Sequence, residues 1–504
     1  MNKAIEASVG GSMRRRHVLA AIAAGAVVLG FDPLRKTWVR AAEAAGGCDA
    51  FDHLPDLDGT VYQDVATRDS VSTDQGNIKQ LQPVAVLRPG SAEDVAKMVR
   101  FCKRHRIQIA ARGQGHTTFG HSLTPGLSIE MASLSTIHSI GPDGAEVDAG
   151  VLWQDLIFAA AEAGLTPPVL TGYTKLSIGG TLSVGGVSST FGRGVQIEHV
   201  EWLDVVTGSG VLLRCSETHR RRLFEAVLGG LGQCGIIVRA KVGLVQAPAF
   251  VRLFNLVYFD NAQLFGDMRA LLARDELDDY FNLYFPYPGP GGWGAQLNAA
   301  IGYDAPADAP DASVVLRDLS QPASAATFVD IPYVAYVTRI DGVYDFYKVT
   351  YAWDSLIKPW FDVLLPDSTA EGYIAEVLPT LTPADVGTTG FMLMFPIRRS
   401  GITRPFFRIP EDDGTDFIYL FDILTSSETP GPNPAFVELM LERNRALFEL
   451  ARDAGGTRYP IGALEFDAAD WAAQYGDSWS DFRQRKQQYD PHDLLAPGLG
   501  IFDC

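Results

Sequence analysis

The chain has 504 residues, 47% of them apolar and 20% charged, with a formal net charge of −18. That length accommodates two or more domains and a sizeable core, and no long charged or low-complexity tract interrupts it. The acidic excess repels polyanions, which argues against nucleic acid as a partner.

Residues 1–44 read as an export signal. Arg14, Arg15 and Arg16 precede His17-Val18-Leu19 and an apolar run from Val18 to Gly30, and small residues follow at Ala42-Glu43-Ala44. This order matches a twin-arginine signal with a cleavage site, and the run is shorter than the ~20 residues a stable membrane span needs. The twin-arginine route moves folded cargo, which predicts an exported protein, periplasmic or secreted, loaded with its cofactor before export. Five cysteines, Cys48, Cys102, Cys215, Cys234 and Cys504, show no CxxC pair, so no metal site is expected. Cys102 and Cys234 lie in apolar patterns and are predicted to be buried thiols, while a Cys48–Cys504 bridge is left open.

Past the signal, Val84–Leu87 reads as a strand and Pro89-Gly90 as a turn. Ser91 then caps a helix with Asp94 in its first turn, Val95, Met98, Val99 and Cys102 on one face, and Lys103 and Arg104 at its end. Ile107–Ala111 is a second strand, running into the loop Arg112-Gly113-Gln114-Gly115-His116. Residues 127–130 and 145–150 alternate as strands, and Trp153–Ala163 is a helix that Gly164 ends. The stretch Ile178-Gly179-Gly180-Thr181-Leu182-Ser183-Val184-Gly185-Gly186 implies a backbone packed closely against something. A hairpin follows, Val200–Thr207 and Val211–Cys215 around Gly208-Ser209-Gly210, then a helix over Leu223–Leu228 and a strand over Ile236–Val245. From Pro248 to about residue 455 aromatics multiply, with flexible-looking stretches at 288–293 and 305–312.

Three motifs bear on chemistry. Gly230-Leu231-Gly232-Gln233-Cys234-Gly235 spells GxGxxG, but a helix precedes it and a strand follows, the reverse of a dinucleotide fingerprint. It is read as a helix-to-strand turn. In Arg112–Thr117 the order is strand, glycine-rich turn, histidine. Such a turn aims backbone N–H groups at an anionic pyrophosphate. A structural turn histidine and a metal site with His121 are the other readings of this loop, the second a poor one without carboxylates. Ser183 lacks the flanking glycine of a nucleophile elbow, which sets a serine hydrolase aside. An exported, non-catalytic ligand-binding protein stays as the alternative of another class.

Taken in order, several blocks resemble the flavin-linked oxidoreductases of the vanillyl-alcohol oxidase and p-cresol methylhydroxylase superfamily, closest to the cytokinin dehydrogenases. The blocks are Arg112–His116, Leu176–Ser183, Leu203–Gly208, Leu228–Gln233 and Leu495–Gly498. The resemblance implies an α+β fold. A bipartite FAD-binding domain of the p-cresol methylhydroxylase type, two α/β subdomains, occupies 45–247 and returns at 456–504. A substrate domain, an antiparallel sheet flanked by helices, is inserted at 248–455. His116 aligns with the histidine these enzymes join covalently to the flavin. The resemblance places Ala111, Gly113, Gln114, Gly115, Thr117, His121, Gly172, Ser177, Gly180, Ser183, Val187, Ile237 and Tyr459 around the FAD. Gly185-Gly186-Val187 lacks the cysteine of a second flavin bond, so a single link is expected.

The active-site face departs from the family. The aspartate that serves as its base is Gly172 here, and a glycine accepts no proton. A family glutamate falls, on a loose alignment, at Asn282, and two family glutamines are His121 and Leu499. The expectation is hydride transfer from a small alcohol or amine to covalent FAD, with His121 and Tyr459 as candidate catalytic residues. Cytokinin oxidation proper is the alternative, and the electron acceptor is oxygen or a quinone-like molecule.

Overall fold

The structure, a computed structural model, describes residues 28–32, 37–40, 51, 53–289 and 291–502. The twin-arginine motif, the cleavage site at Ala42-Glu43-Ala44, Cys48 and Cys504 lie outside these residues. Residues up to Asp56 form one unit, within which Val28–Asp32 pairs antiparallel with Thr37–Arg40. Residues from Leu57 onward form the second.

Three sheets organise this second unit. The first has four strands in the order Thr60–Tyr62, Ala85–Arg88, Leu127–Glu130, Ile109–Arg112, the last three mutually parallel. The helix Ala92–His105 begins as its sequence predicts: Ser91 accepts from the Asp94 amide at 3.3 Å. Asp94 itself is buried and accepts from the amides of Asp58, Gly59 and Gly90, so an acidic first-turn residue doubles as a loop anchor. The helix ends on Arg106 in a left-handed conformation. Cys102, Cys215 and Cys234 are buried free thiols.

The second sheet is antiparallel, in the order Leu212–Ser216, Val200–Val206, Ile236–Val242, Gly144–Asp148, Ile137–Gly141. Its first pair is the hairpin predicted around Gly208–Gly210. The GxGxxG letters do form a turn between the helix Arg221–Val227 and the strand Ile236–Val242. Within the glycine-rich stretch, Ile178–Val184 is a short helix lying on this sheet. The Gly179 amide donates to the Ala149 carbonyl at 2.8 Å, and a Cβ at Gly179 would sit 2.7 Å from that of Ala149. Gly179→Ala is therefore expected to lower stability by about 1–3 kcal/mol through overpacking, as read by thermal unfolding of the flavin-loaded protein.

The third sheet has eight antiparallel strands. Their order is Thr327–Pro332, Phe250–Tyr258, Trp293–Tyr303, Asp279–Pro286, Phe391–Arg398, Phe417–Leu424, Phe361–Pro366, Thr457–Arg458. The last strand comes from the segment read as the C-terminal return. Phe250–Tyr258 and Trp293–Tyr303 pack on the helix Asn261–Leu272, and Phe361–Pro366 and Phe417–Leu424 on Asp367–Val377. Strand period two then sends Leu253, Asn255, Phe281, Leu283, Leu393, Phe395, Leu420, Asp422 and Leu424 to the opposite face, where they line a cavity. The described residues of the two flexible-looking stretches form defined turns. The first is a hairpin turn closed by the Tyr287 amide on the Gly292 carbonyl at 2.9 Å. The second holds a 3₁₀ turn, Pro306–Asp308, and the start of the helix Ala312–Val315.

Candidate active site

A cavity of about 560 Å³ lies between the glycine-rich segments and the free face of the eight-stranded sheet. Its walls include every residue that the resemblance assigned to the flavin: Ala111, Gly113, Gln114, Gly115, His116, Thr117, His121, Gly172, Ser177, Gly180, Ser183, Val187, Ile237 and Tyr459. These come from four separate stretches of chain. Strand Ile109–Arg112 delivers the loop, and the C-terminal segment bridges beside it, with the Ala496 amide on the Ile109 carbonyl at 2.8 Å.

The loop is held in one shape. Gly115 has φ +63°, and a Cβ there would stand 2.4 Å from the Arg112 guanidinium. Buried Asp74 accepts from the Gly120 amide at 2.5 Å, the Gly76 amide at 3.1 Å and the Thr117 hydroxyl at 3.3 Å. Burial still pushes its carboxyl up to about 6.

His116 sits in an aromatic box. Its ring stacks on Tyr173 at 4.9 Å and meets the edges of Trp360 and Tyr344 at 5.4 and 6.3 Å. Burial, with Lys358 and Lys348 adding to it, pushes the imidazole down to about 3. The ring is therefore neutral, with one nitrogen lone pair available for bonding. Lys358 is buried behind the box; it donates to the Gln75 and Leu356 carbonyls, each at 2.8 Å, and burial pushes it down to about 7. Sequence reading missed Tyr173, Tyr344, Trp360 and Lys358 as a group, because three of the four lie in the weakly matching middle of the chain.

Gly172 and Tyr173 belong to a loop tied down by Asp341. This carboxylate accepts from the Thr174 amide and the Gln154 side chain, each at 2.8 Å, and from the Thr174 hydroxyl. Asp341→Ala is expected to strand these donors, lower stability by about 1–3 kcal/mol and loosen Tyr173 over His116, as read by thermal unfolding and flavin content. At Gly172 itself, no atom beyond its chain neighbours lies within 4 Å of the Cβ position, so the place of the missing side chain is open space.

The other departures resolve differently. His121 lines the cavity with both ring nitrogens buried, and among the described residues only the Pro460 backbone comes within hydrogen-bonding reach of the ring. Burial, then Arg458 and Lys79, hold it well below the ordinary imidazole range. Leu499 lines the cavity too. Asn282 does not: it lies on the helix-covered face of its strand, accepting from the Tyr280 hydroxyl at 2.9 Å and facing Met268. The position to which the family glutamate loosely aligns therefore faces away from the cavity. Its neighbours Phe281 and Leu283 are the ones that reach the cavity. Burial raises the Tyr459 hydroxyl above the ordinary phenol range, opposed by the backbone of Val187 and Gly186.

Two carboxylates escaped sequence reading. Asp422 and Asp362 are direct cross-strand partners, 4% and 3% exposed, and Asp422 lines the cavity. A signal existed: each is the lone acid in a run that is otherwise apolar, Phe417–Leu424 and Trp360–Pro366. An ionisable group in a strand buried on both faces has a cost that something must offset.

Comparisons with known proteins agree with this geometry. Residues 83–216 match the model of the FAD binding domain, and residues 300–502 match that of cytokinin dehydrogenase 1, FAD and cytokinin binding. The oxidoreductase ORF5 in the fasciation locus of Rhodococcoides fascians is 34% identical over 88% of this chain and 99% of its own. Cytokinin dehydrogenase 4 of Arabidopsis thaliana is 30% identical over 94% of this chain and 97% of its own. The chain belongs to the FAD-linked oxidoreductases of the cytokinin dehydrogenase family. It is an FAD-dependent enzyme, and the non-catalytic binding protein is set aside. The residues present suit this cofactor: the glycine-rich walls admit a close ligand, and the buried His121 ring, which reaches only the Pro460 backbone, keeps a nitrogen without a partner among the described residues. No helix among the described residues is long and apolar enough to cross a membrane.

Proposed function

We propose that this enzyme carries FAD covalently on His116 and oxidises a small alcohol or amine by hydride transfer, after export by the twin-arginine route. The observation that carries this reading is the neutral His116 ring, boxed by Tyr173, Trp360 and Tyr344 at one end of the shared cavity. When bound, FAD supplies the two-electron acceptor. The chain's residues do the rest. Loop 112–117 presents backbone N–H groups to the pyrophosphate. His121 and Tyr459, which line the cavity, would face polar edges of the cofactor. The sheet face holds the substrate and excludes water. Oxygen or a quinone-like molecule takes the electrons onward. A covalent bond suits an exported enzyme, because no pool outside the cytoplasm would replace a lost cofactor.

Oxidation of cytokinins themselves is the second reading, favoured by the match of residues 300–502 to the cytokinin-binding model. Anaerobic addition of isopentenyladenine, then of aromatic and aliphatic alcohols and amines, separates the two. Bleaching of the yellow flavin by another panel member alone is the expected result. Bleaching by isopentenyladenine at a comparable rate would establish the second reading. Failure of every member would remove both as stated.

A further inference from the structure

Five side chains form one row across the cavity face of the eight-stranded sheet. Cross-strand pairing runs from Gln296 to Leu283, Leu393, Asp422 and finally Asp362. The first four line the cavity, and Asp362 stands just behind. Gln296 opens the polar end of the row, where its amide and that of Asn255 both donate to Asn298. Two leucines separate it from the carboxylates. At ~4.8 Å per strand, Gln296 and Asp422 lie about 14 Å apart.

The carboxylate end is the end that holds His116. Asp422 lies two residues before Leu424 on its strand, and Leu424 packs with Tyr344 and Trp360, two walls of the His116 box. Asp362 lies two residues after Trp360, and its backbone carbonyl accepts from the Tyr459 amide at 3.1 Å. The groups facing the pair are Arg458, Tyr459 and Tyr344. The two carboxyls lie within hydrogen-bonding reach of each other, and among the described residues no other donor reaches Oδ1 of Asp422 or either carboxyl oxygen of Asp362. A buried carboxylate without donors, beside a second one, keeps a proton that both share.

We infer that Asp422, backed by Asp362, takes the substrate's N–H or O–H proton in this enzyme, in the place of the aspartate that Gly172 lacks. The inference rests on the proposed amine or alcohol oxidation. The substrate carbon loses a hydride, two electrons and one hydrogen, to FAD, and the C–N or C–O bond becomes double. Its N–H or O–H proton arrives on the Asp422 oxygen facing the cavity, while the proton already shared settles on Asp362. The pair thus goes from one proton to two and later releases one to water. Asp422 is the catalytic residue and Asp362 a positioning residue. His121 is poorly placed for the task, since Arg458 and Lys79 oppose a positive charge on it. The row also sets the substrate's shape: a reacting N–H or O–H at one end, an apolar middle over Leu283 and Leu393, and a polar head read by the carboxamides.

The test uses the full chain loaded with FAD, together with Asp422→Asn and Asp362→Asn. Infrared spectroscopy at neutral pH is expected to show a protonated-carboxyl stretch in the parent enzyme. Both variants should lose it, because a single carboxylate beside an amide donor ionises. With a panel member that bleaches the parent flavin, Asp422→Asn should bleach at least ~100-fold more slowly. Asp362→Asn should keep part of the rate but lose the acid limb of its pH profile. A stretch that persists in Asp422→Asn, or bleaching within twofold of the parent, overturns the inference. If Asp422→Asn fails to hold FAD, Asp422→Glu carries the test. It should keep a protonated-carboxyl stretch and part of the rate, and full rate without the stretch overturns the inference. If no panel member bleaches the parent, the proposed reaction fails by itself, and the infrared arm still decides whether the pair holds a proton.

Discussion

Acid precipitation of the His116→Ala protein is expected to release all of its flavin, leaving a white pellet where the parent enzyme leaves a yellow one. The argument is local. His116 is the only histidine in the glycine-rich loop, and it points into an aromatic box instead of solvent. Burial keeps its ring neutral, so a lone pair is present to form a carbon–nitrogen bond. His121, five residues on, is also neutral but lies against Arg458 and Lys79 and is not part of the box. The folded loop should survive the substitution, because Asp74 holds it through Gly120, Gly76 and Thr117, not through His116. Flavin should therefore still bind reversibly, and gel filtration should strip part of it. A yellow pellet from the alanine variant would place the bond elsewhere, and a white pellet from the parent would remove the covalent link.

Asp490→Ala should cost about 3–5 kcal/mol, because it breaks a buried ion pair and leaves its ammonium uncompensated. Asp490 is 1% exposed, and one of its oxygens meets the Lys486 ammonium at 2.8 Å and the Leu495 amide at 2.8 Å. Lys486 also donates to the Leu495 carbonyl at 3.1 Å. Removing the carboxylate strands a buried ammonium and a buried amide together. Only Asp493, half exposed at 2.8 Å, would remain to balance the charge. The consequence reaches the site, because Leu494 and Ala496 pair with Ile109 at the base of the loop that carries His116. Flavin loading should fall along with stability. Urea unfolding measures the first effect and visible absorbance the second. A loss under ~1 kcal/mol would show that Asp493 alone satisfies Lys486. Asp490→Asn, which keeps an acceptor for the Leu495 amide, should fall between the two.

The Asp490 anchor shows one limit of reading the sequence. Asp490 stands at the C-terminus of the helix Trp479–Tyr489, just before Pro491. That the Leu495 segment its carboxylate holds also pairs through its backbone with a strand nearly four hundred positions earlier is a matter of long-range packing. The helix Ala92–His105 is the opposite case. Its cap, its buried stripe and its basic last turn all depend on residues within a few positions of one another, and all were legible.

The same division separates the two halves of the active site. The cofactor half is written in short contiguous blocks, Arg112–His116, Leu176–Ser183 and Leu228–Gln233. Close approach to an anionic ligand needs glycines at fixed positions in one piece of backbone, so local order alone announces it. The sequence by itself therefore carried the resemblance that implies FAD, and with it His116 as the attachment candidate and Gly172 in the place of the family's aspartate. The substrate half is assembled from alternate residues on strands far apart in the chain. A shift of one residue in register would turn each of them to the other face. That Asn282 faces the helix Asn261–Leu272 and not the cavity is one such case, since only the strand pairing shows it. Asp362 and Asp422 likewise become a pair only because Phe361–Pro366 lies antiparallel to Phe417–Leu424 in that register. Tertiary structure decided where the proton-accepting carboxylates stand, because two like charges share one proton only when packing brings them together out of water.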